Sequence, residues 1–348
     1  MRRSELERRT AAAASGSAVT LEMVAREAGV SPSTVSRILN GTARVRESKV
    51  RAVEAAIVKL QFMPNPVARS LAGGKSMSVG VVTQAIDSPF YGVSLAGIEK
   101  GLLRAKYSPL FVSGHWRESH ERRCVDHLLG RRVEGIILLN SRLPDEELVS
   151  LARSVPLVVT GRFVAGERIY CLDVDSTMGA RVATEYLIGQ GHRRIAFVSG
   201  PPGHPDALQR LDGYKAALAA ARIPYTNTLV VAGDYLETGG YAAVSALLDS
   251  RVKFTAVFAA NDQTAFGVML ALHHRGLKVP QDVSVVGFDD LPTSAFIIPP
   301  LTTVHRYTDE LGERAAAAMI DLIERRIPHV RISDPTLTIR ESTRPWRG

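Results

Sequence analysis

Several short apolar runs in this sequence lead into residues that can hold a ligand. GIILLN ends on Asn140 and is followed by Ser141, LVVT by Gly161 and Arg162, and TLVVAG by Asp234 and Tyr235. AVFAAN ends on Asn261, just before Asp262, and VSVVGF leads into Asp289 and Asp290. After VGVV comes the stretch from Asp87 to Tyr91, which contains Ser88 and Phe90. Arg210 lies in a helical pattern around residues 207–221. Carboxylates, amides and guanidinium groups hold hydroxyls through paired hydrogen bonds, and aromatic faces pack on the apolar side of a ring. A small polyhydroxylated ligand suits this mixture. Two members also have purely structural readings. Asp262 is placed to cap the helix that follows, and Asp290 to shape a turn.

Nothing in the sequence points to bond-making chemistry. GGKS at 73–76 imitates the end of a phosphate-binding loop, but the motif's first glycine would fall at Arg69, and the stretch follows a helix rather than a strand. There is no GxGxxG, no GxSxG and no nucleophile beside a base. His120, Cys124 and His127 could share a helix face, but they read as a surface helix rather than a metal site. No catalytic residue, cofactor or metal is expected.

A second kind of chemistry is written near the start. In GVSPSTVSRILNG, residues 29–41, Ser31 is a good N-cap and Pro32 suits the first helical position. Val35, Ile38 and Leu39 share one face of that helix, leaving Ser33, Thr34, Ser36 and Arg37 on the other. Thr20 can cap a preceding helix whose apolar residues are Leu21, Val24, Ala25 and Ala28, and Gly29 can end it with a positive φ. Two short helices meeting at a tight turn, the second with a small, polar, basic face, match a helix-turn-helix whose second helix enters the major groove of DNA, the alternative being two ordinary amphipathic helices of an all-α segment. Charge favours the first. Residues 1–75 hold 13 Lys and Arg against 6 Asp and Glu, and the remaining residues hold 30 against 29. Nearly all of the net charge of +8 therefore lies beside the motif, as phosphate neutralisation requires.

The elements that must position these residues fall into segments. Residues 1–18 read as a mobile arm and 19–62 as a three-helix DNA-binding domain closed by a helix from Glu47 to Leu60. Residues 63–76, with Pro64, Pro66, Gly73 and Gly74, read as a hinge and linker. From residue 77 to 348, eight continuous apolar runs alternate with helical patterns, the signature of parallel sheets covered on both faces. So many units imply an α/β fold of two doubly wound subdomains, with ligands beyond the carboxyl ends of the strands. No run is long enough to span a membrane, no secretory signal is present, and two cysteines form no disulfide framework, so a cytoplasmic location is expected.

The chain resembles the lactose-repressor family of bacterial transcription regulators from about Val19 to about Arg326. The resemblance rests on TLEMVAREAGVSPSTVSRILNG (20–41), FMPNPVARSLAGG (62–74), GHRRIAFVSG (191–200), RLDGYKAAL (210–218), the block from Asn261 to Asp290, and PPLTTVH (299–305). It implies a periplasmic-binding-protein-like sensor, with one subdomain at about 77–174 and 305–332 and the other at about 175–304 and 333–348. It also implies a homodimer on pseudo-palindromic operator DNA and a small effector, first of all a carbohydrate, with a purine as the alternative. The DNA-contacting set it implies is Thr20, Ser31, Ser33, Thr34, Ser36, Arg37, Asn40, Arg44, Asn65, Ala68, Arg69 and Leu71, with Leu71 as a minor-groove wedge. The implied effector set is Ser88, Phe90, Tyr91, Arg162, Arg210, Tyr235, Asn261 and Asp289, with Arg162 the weaker carry-over because its loop varies in the family. Independently of the resemblance, the guanidinium of Arg162 offers an anchor for an acid or phosphate group, which keeps a sugar acid or sugar phosphate open. There are departures. Pro32 and Ser33 stand where relatives often carry larger base readers, the N-terminal arm is long, and the absence of a leucine-rich tail after residue 328 favours a dimer over a tetramer.

Overall fold

The computed structural model describes residues 19–40, 45–62 and 75–347, and the chain divides into two compact units, Met1–Ser76 and Met77–Gly348. In the first unit, α1 (Leu21–Glu27) starts at Thr20, whose Oγ1 accepts from Met23 N at 3.4 Å. It ends where Gly29 takes φ +64° and Val30 N reaches back to Ala25 O, a left-handed step that glycine makes without a Cβ clash. α2 (Pro32–Asn40) and α3 (Glu47–Leu60) complete the unit. Val24, Ala25, Val35, Val53 and Ala56 are buried together, so the three amphipathic faces converge on one small core.

The second unit holds two sheets. The first, in order β2-β1-β3-β4-β5, contains β1 (Ser78–Thr83), β2 (Ser108–Ser113), β3 (Gly135–Leu139), β4 (Leu157–Thr160) and β5 (Ile169–Leu172), all parallel. α4 (Pro89–Arg104) packs on one face, α5 (Glu118–Gly130) and α6 (Asp145–Ala152) on the other. The second sheet, in order β11-β10-β9-β8-β6-β7, follows α7 (Ser176–Gly189). Its strands are β6 (Ile195–Ser199), β7 (Val230–Ala232), β8 (Ala256–Ala259), β9 (Ser284–Asp289), β10 (Thr302–His305) and β11 (Thr336–Thr338). α7 and α8 (Pro205–Ala220) cover one face, α9 (Glu237–Asp249) and α10 (Asp262–His274) the other. α11 (Thr308–Ile323) returns to the first sheet, where Ala315 and Met319 join Ile98 and Val79 in its core. The chain thus passes between the sheets after β5, after β10 and before β11.

The structure corrects several local expectations. β5, β10 and β11 were not among the eight apolar runs, because their mixed composition (IYCL, TTVH, TLT) hides a strand, and β11 is antiparallel to β10. The run at 228–233 shortens to β7, since Asn227–Leu229 forms a 3₁₀ turn. Asp262 does not cap α10. Asn261 does, accepting from Thr264 N at 2.9 Å, while Asp262 is fully buried and accepts from Leu291 N at 2.7 Å and from the hydroxyls of Ser294 and Thr303. Asp290 does more than turn the chain. It joins β9, β10 and β11 by accepting from His305 Nδ1 at 2.9 Å, Thr338 Oγ1 at 3.1 Å and Arg340 Nη2 at 2.7 Å.

Burial, together with the charge of Asp289, pushes the Asp262 carboxyl up to about 7 from 3.8, with its three donors opposing the shift. The folded state therefore holds this proton more tightly than the unfolded chain. The stability tied to the group is fully present below the unfolded value and is lost as pH rises through about 7. Thermal unfolding midpoints are expected to fall by a few degrees between about pH 5 and about pH 8, and Asp262→Asn should flatten that profile. A profile that is the same in both proteins would refute the assignment.

Candidate functional site

A cavity of about 370 Å³ lies between the carboxyl ends of the two sheets, where an open α/β arrangement places ligands. Seven of the eight effector residues expected from the sequence line it, namely Ser88, Phe90, Tyr91, Arg210, Tyr235, Asn261 and Asp289. Each arrives for a local reason. Ser88 is the N-cap residue of α4, with Phe90 and Tyr91 in its first turn. Asn261 and Asp289 sit at the ends of β8 and β9, and Arg210 faces inward from α8. Arg162 is not in this set. Its Nη2 donates to Leu143 O and its Nη1 lies 3.4 Å from Asp145 Oδ1, so it lines an adjoining cavity instead.

The floor is a buried square of charge. Arg210 Nη2 is 3.6 Å from Asp206 Oδ2 and 3.6 Å from Asp289 Oδ1, and Arg306 Nη1 is 3.3 and 3.7 Å from the same two oxygens. Arg210 stacks 3.9 Å above the Phe288 ring and donates to Ala260 O, while Arg306 lies 5.1 Å from the Phe90 ring centre. The two carboxyls are held differently. Burial raises Asp289 to about 6 even though both arginines oppose it. At Asp206 burial also acts upward, but Arg306 and then Arg210 outweigh it and hold the carboxyl below its ordinary value. Burial raises the Tyr91 and Tyr235 phenols, so both are neutral donors. Burial lowers His204, which favours the neutral imidazole.

Five buried polar atoms on the lining residues lack a hydrogen-bond partner, His204 Nδ1, Asp206 Oδ1, Arg210 Nε, Tyr235 Oη and Arg306 Nε, and Asp289 Oδ1 has only its two long ion pairs. Leaving such an atom unpaired costs roughly 1–3 kcal/mol. A folded protein that concentrates these atoms around one cavity is arranged to meet hydroxyls or amides there. Four lining residues, Trp116, Asn140, Tyr235 and Asp289, also take left-handed φ of 57°, 51°, 68° and 107°. Such strain in non-glycine residues gathers at functional sites.

Asp206, Arg306, Trp116 and His204 escaped the sequence reading. Asp206 stands one turn before Arg210 on α8, so an i, i+4 pairing could have flagged it. Arg306 directly follows β10, the strand that its threonines concealed. In the first unit, Ser31, Ser33 and Arg37 are exposed and Thr34 and Ser36 half-buried, while Val35 is fully buried. Ser31 Oγ lies 2.9 Å from both Ser33 Oγ and Thr34 Oγ1 and accepts from Thr34 N. Thr20 serves α1 as its cap. Arg44, Asn65, Ala68, Arg69 and Leu71 lie outside the described residues, as does the side chain of Asn40.

A helix-turn-helix unit, joined in one chain to a two-sheet domain with a polar, ligand-sized cavity, defines a ligand-responsive DNA-binding protein. Comparison with known proteins agrees. Residues 20–65 match the bacterial regulatory proteins of the lacI family, and residues 184–343 match the periplasmic binding protein-like domain. The ribose operon repressor of Escherichia coli (strain K12) is 36% identical over 320 residues, 91% of this chain and 94% of that one. The HTH-type transcriptional regulator GalR of the same strain is 35% identical over 326 residues, 93% and 95% of the two chains. Among solved structures, a lac repressor dimer bound to operator and the anti-inducer ONPF matches with TM-score 0.84 and 29% identity, covering 94% of this chain and all of that one. A complex of the regulator CelR with cellobiose matches with TM-score 0.69 and 34% identity, covering 93% and 99%. The chain belongs to the lacI family; it is a DNA-binding transcription regulator and not an enzyme. No helix among the described residues is long and apolar enough to cross a membrane.

Proposed function

We propose that this chain is a cytoplasmic, homodimeric repressor whose affinity for a pseudo-palindromic operator is set by a neutral monosaccharide, or a close derivative, in the 370 Å³ cavity. The reading takes residues 63–76 as the hinge and the two sheets as the subdomains, about 77–174 with 305–332 and about 175–304 with 333–348. The observation that carries it is the ring of unpaired buried donors and acceptors, which a polyol satisfies from several directions at once. Charge supports a neutral ligand, because Arg142, Arg210 and Arg306 line the cavity against Asp206, Asp234 and Asp289. The volume lies at the small end of small-molecule sites. Relatives support a neutral sugar, one being a ribose operon repressor and another a complex with the disaccharide cellobiose. A purine has less support. Phe90 and Tyr91 meet edge to face at 70°, and Arg306 already lies over Phe90, so the pair offers no flat slot.

The test is a thermal-shift panel of neutral sugars, sugar acids and purines, followed by operator titration with any compound that binds. One neutral monosaccharide should give a saturable rise and change operator affinity by about 5- to 150-fold, the usual range of allosteric coupling. Binding of purines alone, or of nothing in the panel, would overturn the reading.

A further inference from the structure

A second cavity, of about 240 Å³, adjoins the first. Trp116, Asn140, Arg142 and His204 line both, and the Trp116 and His204 rings meet at 5.2 Å where the two spaces join. The charge of the two linings differs. The first balances its arginines with aspartates, whereas the second contains Arg142 and Arg162 and no carboxylate. The exposed Arg142 forms no ion pair among the described residues. Arg162 has one, to an Asp145 side chain that is 58% exposed, and its buried Nε has no partner. His204 and Pro205 place the N-terminus of the sixteen-residue α8 in the wall; its N-cap residue makes no side-chain cap, and the Asp206 carboxylate of its first turn is engaged by Arg210 and Arg306 in the first cavity. His204 Nδ1 is buried there without a partner.

Gly161 shapes this wall. It follows β4 with φ +80°, and a Cβ at this position would stand 2.4 Å from Asn140 Nδ2. The tight turn brings Arg162 alongside the loop that carries Arg142. Arginines on two loops, Arg142 and Arg162, and the helix N-terminus from the opposite sheet thus line one cavity. A tetrahedral oxyanion has acceptor oxygens for all three, while a planar carboxylate is satisfied by one forked guanidinium.

We propose that this second cavity is an oxyanion site that takes a phosphate group between Arg142, Arg162 and the start of α8, beside the sugar of the first cavity. The phosphate is either part of the effector, as a phosphomonoester of the sugar, or a separate ion bound next to a neutral sugar. The first of these alternatives rests on the sugar reading above, and the anion site itself does not.

Calorimetric titration of the full chain at constant ionic strength tests it. The probes are inorganic phosphate, ribose, glucose and the terminal phosphomonoesters of both sugars. Inorganic phosphate should bind saturably, and Arg142→Gln and Arg162→Gln should each weaken it about tenfold or more. Circular dichroism checks that each variant is folded, and the two lie on different loops, so either alone can report. No phosphate binding by the wild-type chain, or equal affinity in both folded variants, overturns the proposal. A phosphomonoester that binds at least tenfold tighter than its neutral sugar and than phosphate places the phosphate within the effector. Phosphate bound additively with a neutral sugar makes it a separate ion. Phosphate binding that the variants weaken, with no sugar or ester bound through the first cavity, would sink the sugar reading and leave the oxyanion site standing.

Discussion

Arg210→Ala is expected to weaken effector binding by about two orders of magnitude and to lower the unfolding temperature of the second unit by roughly 10 °C. Its guanidinium lies between the carboxylates of Asp206 and Asp289, on the face of Phe288. Removing it leaves two buried carboxylates sharing Arg306 alone. Breaking a buried ion pair from one side costs about 3–5 kcal/mol, because a charge remains without compensation. Asp289, already raised to about 6, is the group that escapes by taking a proton. Its value should rise further in the variant, so the folded state binds this proton more tightly than the unfolded chain does. The deficit should then be small in mild acid, below that raised value, and grow as pH rises through it. Unfolding scans at about pH 5 and about pH 8, paired with calorimetric titration of the effector, read both effects. Arg210→Lys should not rescue binding, since a point charge cannot serve two carboxylates and stack on a ring. A variant that binds effector like the wild type would remove Arg210 from the site.

How much of this site the sequence discloses depends on how each residue is delivered. Asn261 and Asp289 were legible because one ends and the other directly follows a short apolar run, and a buried parallel strand releases its next residues at the ligand edge of the sheet. Phe90 and Tyr91 were legible for a related reason, since they open α4 just beyond β1. Arg162 shows the limit of that rule. It follows β4 as expected, but the turn at Gly161 carries it toward Leu143 O and Asp145, away from the main cavity. Trp116 and His204 were not legible at all, because their meeting is a contact between loops of different sheets that no local pattern records. Arg306 was hidden by chemistry. Thr302 and Thr303 are fully buried because Ser342, Thr343 and Asp262 satisfy their polar groups, so a core strand has the composition of a loop. The helix-turn-helix was the plainest feature, since its cap, its glycine turn and its apolar spacing are all local.

Arg37→Ala should reduce affinity for the specific operator by about tenfold to a hundredfold, the value of about 1–3 kcal/mol for a bidentate guanine contact, and should barely change binding to random duplex. The expectation follows from how α2 is held. Val35 is fully buried, and Ile38 and Leu39 pack half-buried on the same small core. With that face fixed, Ser33 and Arg37 are left exposed one turn apart. A recognition helix enters the major groove with its early residues near base edges, and of this exposed pair only Arg37 has two parallel donors to offer a guanine. Ser33 contributes a single short hydroxyl, which makes discrimination by α2 lean on the arginine. The competing role, a phosphate contact, has a different signature. It would weaken operator and random duplex alike and lower the salt slope by about one. Fluorescence anisotropy on a selected operator and on a shuffled duplex, at several salt concentrations, separates the two. Equal losses on both duplexes would make Arg37 a positioning contact and move base reading to other residues of the unit. Effector affinity should not change in either case, because Arg37 belongs to a different compact unit from the cavity.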